Sequence, residues 1–240
     1  MADIPKIVSS RWDDDRAHEL GRYVETGGYE ALRAALARPP SEIADEVKTA
    51  SLLGRGGAGF PAGIKWGFCP EGVWPRYVVI NGDESEPGTY KDRILMERDP
   101  HQIIEGALIC AYAVGATQVF LYVRGEMALA QERLARALND AYAAGHVGRS
   151  IQGSEFSCDV VLHWGAGAYI VGEETALIES LEGERGMPRL KPPFFPAAKG
   201  LYQQPTIVNN VETICNLPLM FDKGLEWYNS LGTPAISKED

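Results

Sequence analysis

The chain predicts an α/β fold, a parallel sheet flanked by helices behind a short helical N-terminal extension. Three observations carry that prediction. Short apolar runs at 77–80, 119–123 and 158–164 recur along the chain, as strands buried on both faces do. Helical patterns separate them, which is the alternation of a crossover-connected parallel sheet. Finally, 240 residues at 45% hydrophobic and 23% charged suffice for one large domain with its own core. That balance excludes a disordered, fibrous or coiled-coil chain.

Residues 1–40 form the extension. Within it, 16–24 and 29–37 read as two short helices split by Thr26-Gly27-Gly28, and Pro39-Pro40 ends the second. Ser41 reads as the N-cap of the next helix, with Ile43, Val47 and Leu52 on one face. From 41 to 232 runs the α/β domain. Its first strand, at 77–80, is followed by an apolar helix at 101–114 and a strand at 119–123. An amphipathic helix at 126–144 places Met127, Leu134, Leu138 and Tyr142 together. A third strand at 158–164 leads to a helix at 173–181. The uncharged run 106–123 nears membrane-spanning length, but Gly115-Ala116-Thr117-Gln118 divides it into helix, turn and strand. Residues 183–206, with Lys191-Pro192-Pro193-Phe194-Phe195-Pro196, are too long for a plain connector. They read as a functional or a disordered loop. Residues 209–221 read as a helix capped by Asn209 with Glu212 in the box position. Residues 225–231 read as a short helix, and 233–240 as a tail or truncation point. A Rossmann-like sheet of this kind binds ligands beyond its strand C-termini.

Charge narrows the function. Lys and Arg number 23 against 33 Asp and Glu, a net charge of −10. No basic footprint for nucleic acid exists. The four cysteines form no CxxC, so no local zinc or iron–sulfur motif is present, and they read as reduced thiols. The polar N-terminus, running into Asp13-Asp14-Asp15, is not a signal peptide. The four histidines are scattered and no nucleophile–base pair stands out, so a cofactor is expected to carry the chemistry.

Four segments are candidates for holding one. The first, 54–63, has five glycines in ten residues, and Gly54, Gly56 and Gly59 fit G-x-G-x-x-G. A helix precedes it instead of a strand, so it is not a dinucleotide fingerprint. Its glycines still let backbone N–H groups approach an anion or a flat ring. Lys65 can pair with a phosphate, and Phe60, Trp66 and Phe68 offer aromatic faces. A plain surface loop is the alternative. The second, 79–93, starts at a strand end. Asn81 can both donate and accept, and Asp83, Glu84 and Glu86 suit ribose hydroxyls or simply solvent. The third, 165–175, runs from a strand end to a helix start with free N–H groups. Glu173 and Glu174 also fit there on helix-dipole grounds. Capping alone could explain the fourth, 206–213.

Together these segments resemble the family of NADH-oxidising, FMN-binding subunits of respiratory NADH:quinone oxidoreductase (complex I), with relatives in NAD-linked hydrogenases and formate dehydrogenases. The matching motifs are Gly54-Arg-Gly-Gly-Ala-Gly-Phe-Pro-Ala-Gly-Ile-Lys-Trp66, Asn81-Gly-Asp-Glu-Ser-Glu-Pro-Gly-Thr-Tyr-Lys-Asp-Arg93, Gly165-Ala-Gly-Ala-Tyr-Ile-Val-Gly-Glu-Glu-Thr-Ala-Leu177 and Asn209-Asn-Val-Glu-Thr213. The resemblance covers roughly residues 20–232. It implies FMN and NAD(H) as cofactors, with hydride passing from NADH to FMN and electrons onward to iron–sulfur centres. The glycine-rich loop from Arg55 to Ile64, with Gly56, Gly57, Ala58 and Gly59, would contact NADH and approach the flavin, and Gly54 before it is a further cofactor-binding candidate. Lys65, Asn81, Asp83, Tyr169, Gly172, Glu173, Val208, Asn209 and Asn210 would surround FMN. Phe60, Phe68 and Phe194 would hold the adenine. Glu86, Glu174 and Lys191 would contact or tune the dinucleotide, the two carboxylates by disfavouring over-tight binding.

The implied partners are NADH, a thioredoxin-like [2Fe–2S] subunit and the iron–sulfur subunits of complex I, with no nucleic acid. The implied place is the cytoplasmic side of the cell membrane, peripheral and not inserted. Family members usually continue into a ubiquitin-like domain and a helical bundle with a [4Fe–4S] cluster. The cluster ligands are absent here, so the expectation is a flavin domain alone. Ala62, Gly82, Trp164 and Val171 depart from the usual Thr, Ala, Arg and Cys, and Trp164 is expected to alter the charge of the flavin pocket. Two alternatives stay open: a diaphorase of an NAD-linked formate dehydrogenase or hydrogenase, and a nucleotide-binding module without turnover.

Overall fold

The structure, a computed structural model, describes residues 6–232. The readings of residues 1–5 as the start of the extension and of 233–240 as a tail lie outside the described residues. Four helices come first: α1 (Leu20–Glu25), α2 (Glu30–Leu36), α3 (Pro40–Thr49) and α4 (Ala62–Trp66). Strand β1 (Tyr77–Gly82) leads through α5 (Lys91–Arg98) and α6 (Pro100–Val114) to β2 (Gln118–Val123). Then α7 (Ala128–Ala143) leads to β3 (Asp159–Trp164), and α8 (Glu174–Leu181) with α9 (Pro196–Lys199) leads to β4 (Thr206–Asn210). Helices α10 (Val211–Lys223) and α11 (Leu225–Ser230) follow.

All strand pairs are parallel, in the order β3-β2-β1-β4. Side chains alternate across the sheet. Val78, Ile80, Val119, Leu121 and Val123 face a large core with α6 and α10, while Val79, Tyr122 and Val208 face a smaller one with α8. The sheet is therefore apolar on both sides, as the continuous apolar runs predict. The uncharged run 106–123 is the buried end of α6, a turn at Gly115 in the left-handed conformation, and β2. No described helix is long and apolar enough to cross a membrane.

Several boundaries differ from expectation, each for a local reason. The first helix starts at Leu20, because Asp14 accepts the Arg16 N–H at 2.9 Å and holds the preceding residues in a turn. Ser41 is not an N-cap: α3 begins at Pro40, whose missing N–H costs nothing in a first turn. Tyr142 leaves the buried face of α7 and its hydroxyl accepts the Val160 N–H at 2.9 Å. The helix read from Asn209 is a strand followed by a helix. Asn209 pairs with Ile80 in the sheet, and Asn210 is the cap, accepting the Glu212 N–H at 3.0 Å.

Helices α1 and α2 share the large core with the sheet. A buried carboxylate, Glu105 of α6, ties them down. It accepts from the Tyr23 hydroxyl and from the N–H groups of Tyr29 and Leu32, the latter two each at 2.9 Å. Nearby, Arg11 donates to Asp99 at 2.7 Å and to Gln102 at 2.8 Å.

His101 is fully buried beside this cluster, with Nδ1 2.9 Å from the Tyr29 hydroxyl and Nε2 unpartnered among the described residues. Burial, helped by the positive charges of His146, His18 and Arg11, depresses it to about 3. The folded chain thus binds fewer protons here than the unfolded chain, so stability rises with pH. This contribution is complete above the unfolded value near pH 6.5 and is lost progressively toward about pH 3. Lowering the pH from about 7.5 to about 5 should cost about 2 kcal/mol, at about 1.4 kcal/mol per unit. Urea unfolding of the chain and of His101→Gln at both pH values checks this: the variant should lack that increment.

Candidate functional site

Strand order fixes where a ligand can sit. From β1 the chain moves outward to β2 and β3, then returns to place β4 on the other side of β1. The loops after β1 and β4 therefore diverge and leave a crevice between them. Asn81 pairs with Asn210 at its floor. The loop after β3 closes it from one side, and the segment between α3 and α4 covers it from another.

That segment is the glycine loop. Gly57 and Gly59 have φ of +116° and +65°, a region that side-chain-bearing residues rarely adopt. Behind the loop, α4 lies directly on α3: a Cβ on Gly63 would sit 2.4 Å from the Lys48 backbone. This close approach delivers Lys65 to the crevice. Its amine donates to the Val208 carbonyl of β4. Burial pushes the Lys65 amine below its ordinary value, with Glu174 opposing.

Two adjoining cavities result. The larger, about 700 Å³, is bounded by the glycine loop, Phe60, Lys65 and Phe68, the β1 and β4 ends, and Gly172 to Glu174 with Lys191. The smaller, about 460 Å³, adds Arg55, Gly57, Glu86 and Tyr169. Gly56, Asn81, Gly172, Glu173 and Asn210 line both. The expected site residues Gly54, Ala58, Gly59, Val208 and Asn209 also line the larger one.

Two expected residues lie outside both cavities. Asp83 is buried beneath the floor, where Oδ1 has no partner among the described residues and a Cβ on Gly172 would stand 3.5 Å from Oδ2. Burial raises its carboxyl above the usual range. Phe194 turns away, with the Lys199 amine 4.9 Å above its ring, and Phe195 takes its place in the wall. Trp164 also lies off the cavities, 63% exposed at the end of β3.

Hydrogen bonds fix the polar groups. Asn81 donates to the Gly172 carbonyl at 2.9 Å and accepts the Asp83 N–H at 3.1 Å, joining the loops after β1 and β3. The Tyr169 hydroxyl donates to Glu86 across the smaller cavity. Glu173 caps α8 through the N–H groups of Thr175 and Ala176, at 2.9 and 3.1 Å. Lys191 donates to Glu173 at 2.7 Å and to Glu174 at 3.2 Å, latching the proline-rich loop onto the helix start. Burial pushes the Glu173 carboxyl up, but Lys191 and the capped N–H groups outweigh it and leave it low.

Sequence reasoning missed Phe195, Thr213 and the pair Lys91–Asp92. Thr213 accepts the Arg55 N–H at 2.8 Å and anchors the glycine loop to α10. All four lie within the motifs 81–93 and 209–213 or the run 191–196, but nothing in the sequence distinguished them from their neighbours there.

The arrangement suits a large planar ligand. A cavity of this volume with aromatic walls and a few convergent polar groups is the usual form of a cofactor pocket. Phe60 and Phe68 stand with ring centroids 6.0 Å apart at one end. Asn amides and the Lys65 amine provide the donors, and Asp83 holds an unpartnered acceptor below. These residues fit a flavin mononucleotide beside a dinucleotide.

The family model described as the Nuo51 FMN-binding domain matches residues 47–219. The F subunit of NADH-quinone oxidoreductase from Aquifex aeolicus is 52% identical over 226 residues, covering 94% of this chain and 53% of its own length. The corresponding F subunit from Mycobacterium tuberculosis is 51% identical over 235 residues, covering 95% and 53%. The chain thus spans about half the length of the curated relatives it matches. An NAD⁺-reducing [NiFe]-hydrogenase in the H2-reduced state has a similar fold, with a TM-score of 0.79 and 40% identity over 90% of this chain and 37% of that one.

Proposed function

This chain belongs to the family of Nuo51 FMN-binding domains, and from that premise we propose that it is the flavin-holding, NADH-oxidising part of an NADH:quinone oxidoreductase. The observation that carries this reading is the convergence of the glycine loop, the strand ends and the Gly172–Glu174 turn on one crevice. FMN supplies hydride acceptance and the release of single electrons. The chain supplies orientation and the exclusion of side reactions, so no acid–base pair is required.

In this reading Lys65, Asn81, Gly172, Val208, Asn209 and Asn210 hold FMN, with Asp83, Tyr169 and Glu173 setting the positions of their neighbours. The glycine loop covers NADH. Glu86, Glu174 and Lys191 set the charge that the dinucleotide meets. The electrons then pass to iron–sulfur partner subunits, a thioredoxin-like [2Fe–2S] protein among them, in a peripheral arm on the cytoplasmic side of the membrane. A diaphorase role in an NAD-linked hydrogenase is the second reading, favoured by the fold match at 40% identity. Identity near 50% to the NADH-quinone oxidoreductase relatives favours the first.

The aromatic wall gives a graded test. Phe195→Ala should weaken NADH binding roughly tenfold and Phe194→Ala less than about twofold, given about 0.5–1.5 kcal/mol for an aromatic contact beyond its buried area. Equilibrium titration with NADH reads both, and equal effects would undo the assignment. For the function as a whole, apoprotein is loaded with FMN and mixed with NADH without oxygen. Stoichiometric bleaching of the flavin absorbance is expected. A folded chain that binds neither FMN nor NADH would overturn the reading.

A further inference from the structure

We infer that Asp92 is a positioning residue, which acts on the flavin site through the side chain of Asn210. The inference rests on the reading that FMN occupies the crevice. Asn210 lines both cavities and lies against the glycine loop, where a Cβ on Gly56 would come within 3.3 Å of the Asn210 Cβ. What Asn210 offers a ligand depends on which way its amide faces. Three partners decide this.

The amide Nδ2 donates to Asp92 Oδ2 at 2.6 Å. Its Oδ1 accepts from the Glu212 N–H at 3.0 Å and from the Lys91 amine at 3.2 Å. A carboxylate can only accept, and a backbone N–H and an ammonium can only donate. A flipped amide would therefore lose all three bonds. One Nδ2 hydrogen remains uncommitted, so Asn210 meets a ligand as a donor only. It suits an electron-rich edge or an anionic oxygen and rejects a donor.

Asp92 is 2% exposed and tightly held. Its Oδ1 accepts from Lys91 at 2.8 Å and from the Glu212 N–H at 3.1 Å. Its own N–H donates to Glu84 at 2.7 Å, and the Arg93 N–H donates to the other Glu84 oxygen at 2.8 Å. Lys91 also pairs with Glu212 at 3.0 Å. The start of α5 is thereby clamped between the loop after β1 and the start of α10. Asp92 borders the smaller cavity but not the larger one. Its oxygens are committed to protein donors, so it reaches a ligand through Asn210.

Asp92→Asn keeps the volume and removes the one acceptor-only partner, which fixes the donor end of the Asn210 amide, while the Glu212 N–H and Lys91 still hold its oxygen. A double-mutant cycle with Asn210→Ala separates positioning from general support. FMN dissociation constants are measured on the apoprotein by quenching of flavin fluorescence, with thermal unfolding recorded alongside. In the otherwise unchanged chain, Asp92→Asn should weaken FMN binding roughly tenfold, the scale of one charge-assisted hydrogen bond. In the Asn210→Ala background it should change binding less than about twofold. Melting should fall in both backgrounds. If Asp92→Asn does not fold, the charge-balanced Lys91→Met/Asp92→Asn pair enters the same cycle. Any direct Lys91 effect appears in both backgrounds, Lys91→Met alone reports the bond Lys91 itself makes to Asn210, and the excess beyond that should again be roughly tenfold. Equal weakening in the two backgrounds would overturn the inference while leaving the flavin reading intact. Failure of the unchanged chain to bind FMN would remove both.

Discussion

Replacing Glu105 by alanine is expected to lower the unfolding free energy by about 3–5 kcal/mol, the usual penalty for removing one side of a buried charged network. Two effects compete. Burial holds the Glu105 carboxyl above its usual range, so removing it regains some desolvation. Against this, the Tyr23 hydroxyl and the Tyr29 and Leu32 N–H groups lose their acceptor inside the core. A buried stranded donor costs about 1–3 kcal/mol, and three together exceed the gain. The melting temperature should drop by on the order of 10 °C for a domain of this size. Glu105→Gln should also destabilise, because its amide nitrogen must face a donor. Urea unfolding at neutral pH measures both, and a loss below about 1 kcal/mol for the alanine variant would refute the account of how α1 and α2 are held.

The second large effect concerns the site itself. Lys65→Met keeps most of the apolar stem and removes the amine. An ammonium carries three donors, of which one is used by Val208. The other two remain for a ligand. A charge-assisted hydrogen bond is worth about 1.5–3 kcal/mol, so the FMN dissociation constant should rise by on the order of 10- to 100-fold. Because burial already lowers the Lys65 amine, bound anionic groups should raise it, and FMN affinity should decline as pH rises through the amine's free value. Affinity within about twofold of the unchanged chain would exclude Lys65 from the flavin contact.

Legibility in the sequence followed the range of the interactions. Strands β1, β2 and β3 were readable because each is a compact apolar run, and apolarity on both faces is a local property. Strand β4 was not. Thr206–Asn210 is short and follows a glycine- and proline-rich stretch, and pairing with β1 defines it. The same pairing moved the cap from Asn209 to Asn210. Ser41 misled because Pro39-Pro40 had already started the helix.

At the site, the motifs named most of the cavity walls, since glycine and asparagine clusters announce themselves. Adjacent phenylalanines do not announce which of them turns inward, and a loop backbone chose Phe195 over Phe194. The Asp92–Asn210 bond spans 118 positions in sequence and arises from the approach of α5 to α10. Glu105 was equally silent, a single acid in an apolar helix whose partners lie on α1 and α2.

The central claim is that one crevice at the β1–β4 divergence holds the flavin. Amide hydrogen exchange of the 240-residue chain with and without FMN tests it most directly. Slowed exchange is predicted at residues 54–59, 172–175 and 209–213 together, with α7 unchanged. FMN binding with protection confined to other segments, such as the exposed edge of β3, would contradict it.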